Sequence, residues 1–169
     1  MSLHGKTRIA ALCVLLALFA LVGARAGVTV SESADDFTLR QVDGSRTVTL
    51  SQLKGKPALV VFWATWCPPC RREIPVLKDI TTKYQPKGLQ VLAVAVDYRE
   101  SQEQVLQFQK TNDLPYTVLW DAQSTVSDHY GVSGIPTLVL VDPSGVIRYR
   151  GNGVDDELMG LIDKFTSSK

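Results

Sequence analysis

Residues 62–75 read FWATWCPPCRREIP, and the fold turns on how this stretch is interpreted. It continues an apolar, β-branched run, Ala58-Leu59-Val60-Val61-Phe62, and passes into a helical pattern, so Cys67 and Cys70 stand at a strand-to-helix joint. The first N–H groups of a helix have no intrahelical partner, and the macrodipole places partial positive charge there. A thiolate at that point is stabilised, which predicts a Cys67 pKa below that of a free thiol. Cys70 lies one turn further in, within reach of Cys67 for a disulfide and shielded from solvent by the first turn. The pair is therefore expected to cycle between dithiol and disulfide, with Cys67 attacking and Cys70 resolving.

Downstream, Ile74, Leu77, Ile80 and Tyr84 recur every three or four residues. A helix with one buried face thus continues from the cysteines and ends near Pro86 and Gly88. Pro75 falls inside it, where proline removes one i→i−4 bond. Residues 89–96 form a nearly continuous apolar run, as expected of a strand covered on both faces. Ser101 with Gln104 three residues on has the form of a capping box, and Val105 and Phe108 give the following helix its buried side. Residues 116–120 read as another strand and 123–130 as a short helix stopped by Gly131. Residues 137–141 and 146–150 flank Asp142-Pro143-Ser144-Gly145, with proline and glycine where a turn wants them. An amphipathic helix follows over 155–165 through Leu158, Leu161, Ile162 and Phe165. Upstream, 36–39 and 47–50 alternate around Val42-Asp43-Gly44-Ser45, a hairpin signal, and 51–55 read as a helical turn ended by glycine. Strands alternating with helices, then a hairpin and a helix, predict an α/β fold with a mixed sheet and helices on both faces.

The chain has 169 residues, enough for one domain, with 45% hydrophobic and 21% charged residues, an ordinary globular composition. Residues 1–26 stand apart. Lys6 and Arg8 form a basic start, residues 9–22 are an unbroken apolar run of 14, and Ala24-Arg25-Ala26 has the small-x-small form of a signal peptidase site. The run is shorter than the roughly 20 residues that span a bilayer, which favours a cleaved signal over an anchor. Cys13 lies within it, leaving two of the three cysteines in the processed chain. Residues 27–33 read as a linker and 34–169 as the domain. Without Lys6, Arg8 and Arg25 the chain keeps 15 basic residues against 17 acidic ones, a net charge of −2. No basic run remains, which argues against a nucleic-acid partner.

The order of elements, WCPPC at the joint and Gly134-Ile135-Pro136-Thr137 before the last hairpin resemble the thioredoxin fold. More narrowly, the signal segment, the CxxCRxExP motif and the ending YGVSGIPTLVLVDPSGVIRYRG at 130–151 are similar to exported, thioredoxin-like thiol-disulfide oxidoreductases of the TlpA/ResA type. The resemblance covers residues 34–166 and implies an N-terminal β-hairpin extension and a central βα insert. It implies a cis Pro136 lying against the disulfide, with the Ile135 backbone open to pair with an extended client segment. Trp66 abuts Cys67 and, with Pro68, Pro69, Ile135 and Pro136, makes the expected client-binding surface. Trp63 is assigned to core packing, and Arg71 and Arg72 to the solvated side of the helix.

Glu73 matches an active-site glutamate of this group. On a helix it lies about 60° around from Cys70, placed to accept the proton Cys70 loses on resolving a mixed disulfide. Thioredoxins carry a buried aspartate two residues before Trp63; here that position is Val61, which leaves Glu73 for the task. Pro68-Pro69 offers no charge and no side-chain donor to a thiolate, whereas strong oxidants stabilise their reduced form, so a reductant is expected. The resemblance implies electrons from a membrane thiol transporter of the DsbD type. Its implied clients are exported cysteine pairs, such as the haem-attachment cysteines of apocytochrome c or copper-site cysteines. Periplasmic or other extracytoplasmic action as a monomer, with the disulfide in place of any cofactor, completes the expectation. Two alternatives stand beside it. A copper-binding metallochaperone would need ligands besides the CxxC, and the two histidines, His4 and His129, are distant in sequence. A peroxiredoxin-like peroxidase would have threonine three residues before the reactive cysteine, where this chain has Ala64.

Overall fold

A computed structural model describes residues 32–96 and 99–167; the expected signal segment at 1–26, with Cys13, lies outside the described residues. Eight strands form one mixed sheet: β1 (Glu32–Ser33), β2 (Thr38–Gln41), β3 (Thr47–Thr49), β4 (Ala58–Trp63), β5 (Gln90–Val96), β6 (Thr117–Asp121), β7 (Thr137–Val141) and β8 (Val146–Gly151). Their spatial order is β1-β8-β7-β4-β5-β6-β2-β3. Helices α1 (Pro68–Tyr84), α2 (Gln102–Thr111), α3 (Thr125–His129) and α4 (Asp156–Thr166) connect or follow them. This is the thioredoxin arrangement, with α2 and β6 as the central insert and the β2–β3 hairpin added beyond β6.

Every residue of β4 and of β7 is buried, so neither strand alternates, and both faces of the sheet are covered. Leu59, Val60, Phe62, Leu138 and Leu140 are fully enclosed there. The buried stripe of α1 is Cys70, Ile74, Leu77, Ile80 and Tyr84, joined by Thr81. The Tyr84 hydroxyl donates to Asp163 of α4 at 2.7 Å and ties the two helices together. At α2 the capping box forms: Gln104 N–H donates to Ser101 Oγ at 3.3 Å and Ser101 N–H to Gln104 Oε1 at 2.7 Å.

Register decides what meets at the site. β4 runs antiparallel to β7 with Phe62 opposite Thr137, so the residues after Phe62 and those before Thr137 leave the sheet at one edge. β4 runs parallel to β5 with Trp63 opposite Ala95, which brings the end of β5 to that edge as well.

Two differences from the sequence expectation have local causes. The domain starts before residue 34, because Glu32 and Ser33 pair with Ile147 and Val146 at the sheet edge. Both residues are exposed, so backbone pairing alone makes the strand and no apolar pattern announces it. The short helix begins at Thr125, since the carboxylate of Asp121, at the end of β6, accepts from the N–H groups of Val126 and Ser127.

The β7–β8 turn is organised by Asp142, whose carboxylate accepts from Ser144 N–H at 2.8 Å, Val146 N–H at 3.1 Å and Arg148 Nε at 2.6 Å. Burial alone would raise its pKa, but the bonds from Ser144, Val146 and Arg148 outweigh it and hold the group below its ordinary 3.8. A carboxyl with a lowered folded-state pKa contributes stability that is complete above the unfolded value and lost as pH falls through the folded one. Asp142→Asn should therefore be less stable than the parent at neutral pH, with the gap closing below about pH 4 in urea titrations. Leu140→Ala, at a fully buried site, should cost about 2–5 kcal/mol by urea denaturation with little change in m value.

Candidate active site

The cysteines sit where the sequence places them. Cys67 is the N-cap of α1, in extended conformation, and Pro68 and Pro69 occupy the first helical positions. Neither proline has an N–H, so Cys70 carries the first amide of α1 that can serve the cap. It donates to Cys67 Sγ at 3.2 Å. The two sulfurs form a disulfide, with Cα atoms 5.3 Å apart. One expectation changes here. Cys67 is 2% exposed and Cys70 3%, so both are covered in the disulfide form, and shielding does not separate their roles. Ile135, whose carbonyl oxygen borders Cys67 Sγ, is one of the neighbours that cover it.

The Ile135–Pro136 bond is cis. The Ile135 carbonyl oxygen lies 3.7 Å from Cys67 Sγ, so the backbone before the proline borders the sulfur directly. Behind the disulfide, Cys70, Glu73 and Pro136 line a cavity of about 10 Å³ together with Val61, Trp63 and Tyr116. Trp63 is a core residue, 3% exposed and packed on Phe108 with ring centroids 5.6 Å apart. Trp66 is the opposite case, 39% exposed and the one exposed large hydrophobic residue among those described. The Arg99 guanidinium lies 5.1 Å from its ring centroid. Arg71 and Arg72 are exposed, and Arg71 also covers the Phe108 ring at 5.7 Å.

Glu73 is tied down from far along the chain. Its Oε2 accepts from Val154 N–H at 3.1 Å, in the turn between β8 and α4. That turn is braced by Tyr149, whose hydroxyl donates to the Asp155 carboxylate at 2.8 Å and lies 2.9 Å from the Gly153 carbonyl oxygen. Burial, then the bond to Asp155, pushes the Tyr149 pKa up, and the charges of Glu157 and Glu73 add to the shift. The structure thus brings Cys67, Cys70, Glu73, Ile135 and Pro136 together, with Trp66, Pro68 and Pro69 on the surface above. His129 lies elsewhere, on α3, beside a cleft lined by Phe37, Trp120 and Tyr130. Among the described residues no group of three or more His, Cys, Asp or Glu side chains is placed to hold a metal ion.

Sequence reasoning missed Glu100. It is a buried carboxylate whose two oxygens accept from Thr65 N–H at 3.2 and 3.1 Å, and the Thr65 hydroxyl donates to it as well. The capping box starting at Ser101 is legible, but nothing in the sequence links the residue before it to a turn 35 positions away.

A disulfide capping a helix and bordered by the carbonyl before a cis-proline, on this sheet, defines a class: thioredoxin-like thiol-disulfide oxidoreductases. Comparison with known proteins agrees. Residues 30–150 match the AhpC/TSA family, to which the chain belongs, and within it the chain is of the TlpA/ResA type. It is 36% identical over 139 residues to the thiol-disulfide oxidoreductase ResA of Oceanobacillus iheyensis, covering 79% of this chain and 71% of that one. It is 38% identical over 122 residues to the thioredoxin-like protein YneN of Bacillus subtilis, covering 72% and 71%. Among solved structures it resembles a thiol:disulfide interchange protein of the thioredoxin family from Chlorobium tepidum, with 30% identity, a TM-score of 0.68 and coverage of 80% and 96%. The chain is a thiol-disulfide oxidoreductase.

The Glu73–Val154 bond has a measurable weight. Glu73→Ala leaves a half-buried N–H unpaired and should cost about 1–2 kcal/mol in urea unfolding, whereas Glu73→Gln keeps an acceptor and should lose less than half of that.

Proposed function

We propose that this oxidoreductase works outside the cytoplasm as a monomeric disulfide reductase, with Cys67 as nucleophile, Cys70 as resolving thiol and Glu73 as the proton acceptor for Cys70. The observation that carries the assignment is the Cys70 N–H aimed at Cys67 Sγ: it is a donor fixed on the sulfur that bears the attacking thiolate in the reduced form. In the reduced form the Cys67 thiolate attacks a client disulfide, forming a mixed disulfide and releasing one client thiolate. Cys70 then gives its proton to Glu73, which shares the cavity with it, and attacks Cys67 Sγ. The second client thiolate departs, the Cys67–Cys70 disulfide forms, and two electrons have passed to the client.

The client is proposed to be an exported protein with a cysteine pair, either the haem-attachment pair of an apocytochrome c or a copper-site pair. Its segment pairs with the Ile135 backbone while resting on Trp66, Pro68 and Pro69. A membrane thiol transporter of the DsbD type restores the dithiol. The relatives named ResA support the chemistry, and the signal-like residues 1–26 support the compartment.

Cys67→Ser should abolish exchange, and Cys70→Ser should accumulate mixed disulfides separable on non-reducing gels; normal turnover by Cys70→Ser would overturn the roles. Equilibration in thiol buffers should give a potential near about −270 mV, as for thioredoxin, whereas a value near about −120 mV would make the protein an oxidant.

A further inference from the structure

Ala64-Thr65-Trp66-Cys67 is a turn closed by Cys67 N–H donating to the Ala64 carbonyl at 3.3 Å. A turn of this kind leaves the N–H of its second residue without a partner inside the turn, and that residue is Thr65. Glu100 supplies the partner. The residue is 7% exposed, and its carboxylate takes the Thr65 N–H on both oxygens and receives the Thr65 hydroxyl besides. Burying a carboxylate is costly unless hydrogen bonds replace its water, so this arrangement fixes both partners. The parallel pairing of β4 with β5 brings the two segments to one edge, and Arg99, the residue before Glu100, lies over the ring of Trp66, the turn's third residue. One connection therefore grips both central residues of the turn that delivers Cys67.

We infer that Glu100 is a positioning residue for thiol exchange: by clamping Thr65 it sets where the turn presents the Cys67 sulfur to a client. Glu100 acts through Thr65. The inference rests on Cys67 being the attacking thiol. A displacement on the order of 1 Å at a reacting atom is enough to cost about a hundredfold in rate.

The test compares Thr65→Ser, Thr65→Ala, Glu100→Gln and the Thr65→Ala/Glu100→Gln double variant of the purified protein. The readouts are the single-turnover rate with oxidised glutathione, the reduction potential and the urea midpoint. Glu100 has interactions besides those with Thr65, so the hydroxyl deletion at Thr65 isolates the clamp. Thr65→Ser keeps the hydroxyl and should stay within about twofold of the parent, while Thr65→Ala and Glu100→Gln should each be slower by about tenfold under conditions where all are folded. The double variant should be no slower than the slower single one, because Thr65→Ala removes the hydroxyl donor and Glu100→Gln replaces one of the two accepting oxygens with a donor, so both weaken the same clamp. Unchanged rates with a lowered urea midpoint would make Glu100 a stabilising group only and overturn the inference, as would rate losses that multiply in the double variant. Mapping which cysteine iodoacetamide labels first in the reduced parent keeps the two proposals apart. Labelling at Cys70 would overturn the assignment of the attacking thiol, whatever the clamp variants do.

Discussion

The Cys70 amide directed at Cys67 Sγ is the contact on which the rest of the site depends. It exists because two prolines open α1. They remove the amides at the first two positions, so the N-terminal field of the helix reaches the capping sulfur through one donor, carried by the other cysteine of the pair. In the proposed resolving step Cys70 attacks the sulfur on which its own amide is already fixed, Cys67 Sγ, and the client sulfur leaves. For that to work the start of α1 must not drift against the strand before it. Burial of all six residues of β4, between a parallel and an antiparallel neighbour, supplies that rigidity.

Three other connections converge on the same joint, each by a different strand pairing. The antiparallel partner β7 brings Ile135 and Pro136 to the sulfurs. The parallel partner β5 brings Arg99 and Glu100 beneath the turn, and the β8–α4 turn reaches round to hold Glu73. None of these contacts is local in sequence. Glu73 and Val154 are 81 positions apart, and Thr65 and Glu100 are 35 apart.

That distance explains what was legible in the sequence. Periodicity and capping are local signals, so β4, β5, β7, α1 and the Ser101–Gln104 box could be read directly, and the CxxC with a remote Ile-Pro-Thr identified the site. The edge strand Glu32–Ser33 has no apolar member and was invisible for that reason. Glu100 was invisible because a carboxylate before a capping serine looks like ordinary helix-start chemistry until the β5 register is known. The covering of Cys67 was not legible for a related reason: the residues beside its sulfur include Ile135, brought there by the strand pairing of a segment 68 positions away.

The two glutamates near the cysteines are arranged for different work. Glu100 has both oxygens on Thr65, so its geometry serves to hold the turn. Glu73 is half-buried, engages Val154 through one oxygen, and lines a cavity with Cys70. In the proposed mechanism, one carboxylate holds the turn and the other takes the proton from Cys70. The sheet supplies both by ending three strand connections at the same edge.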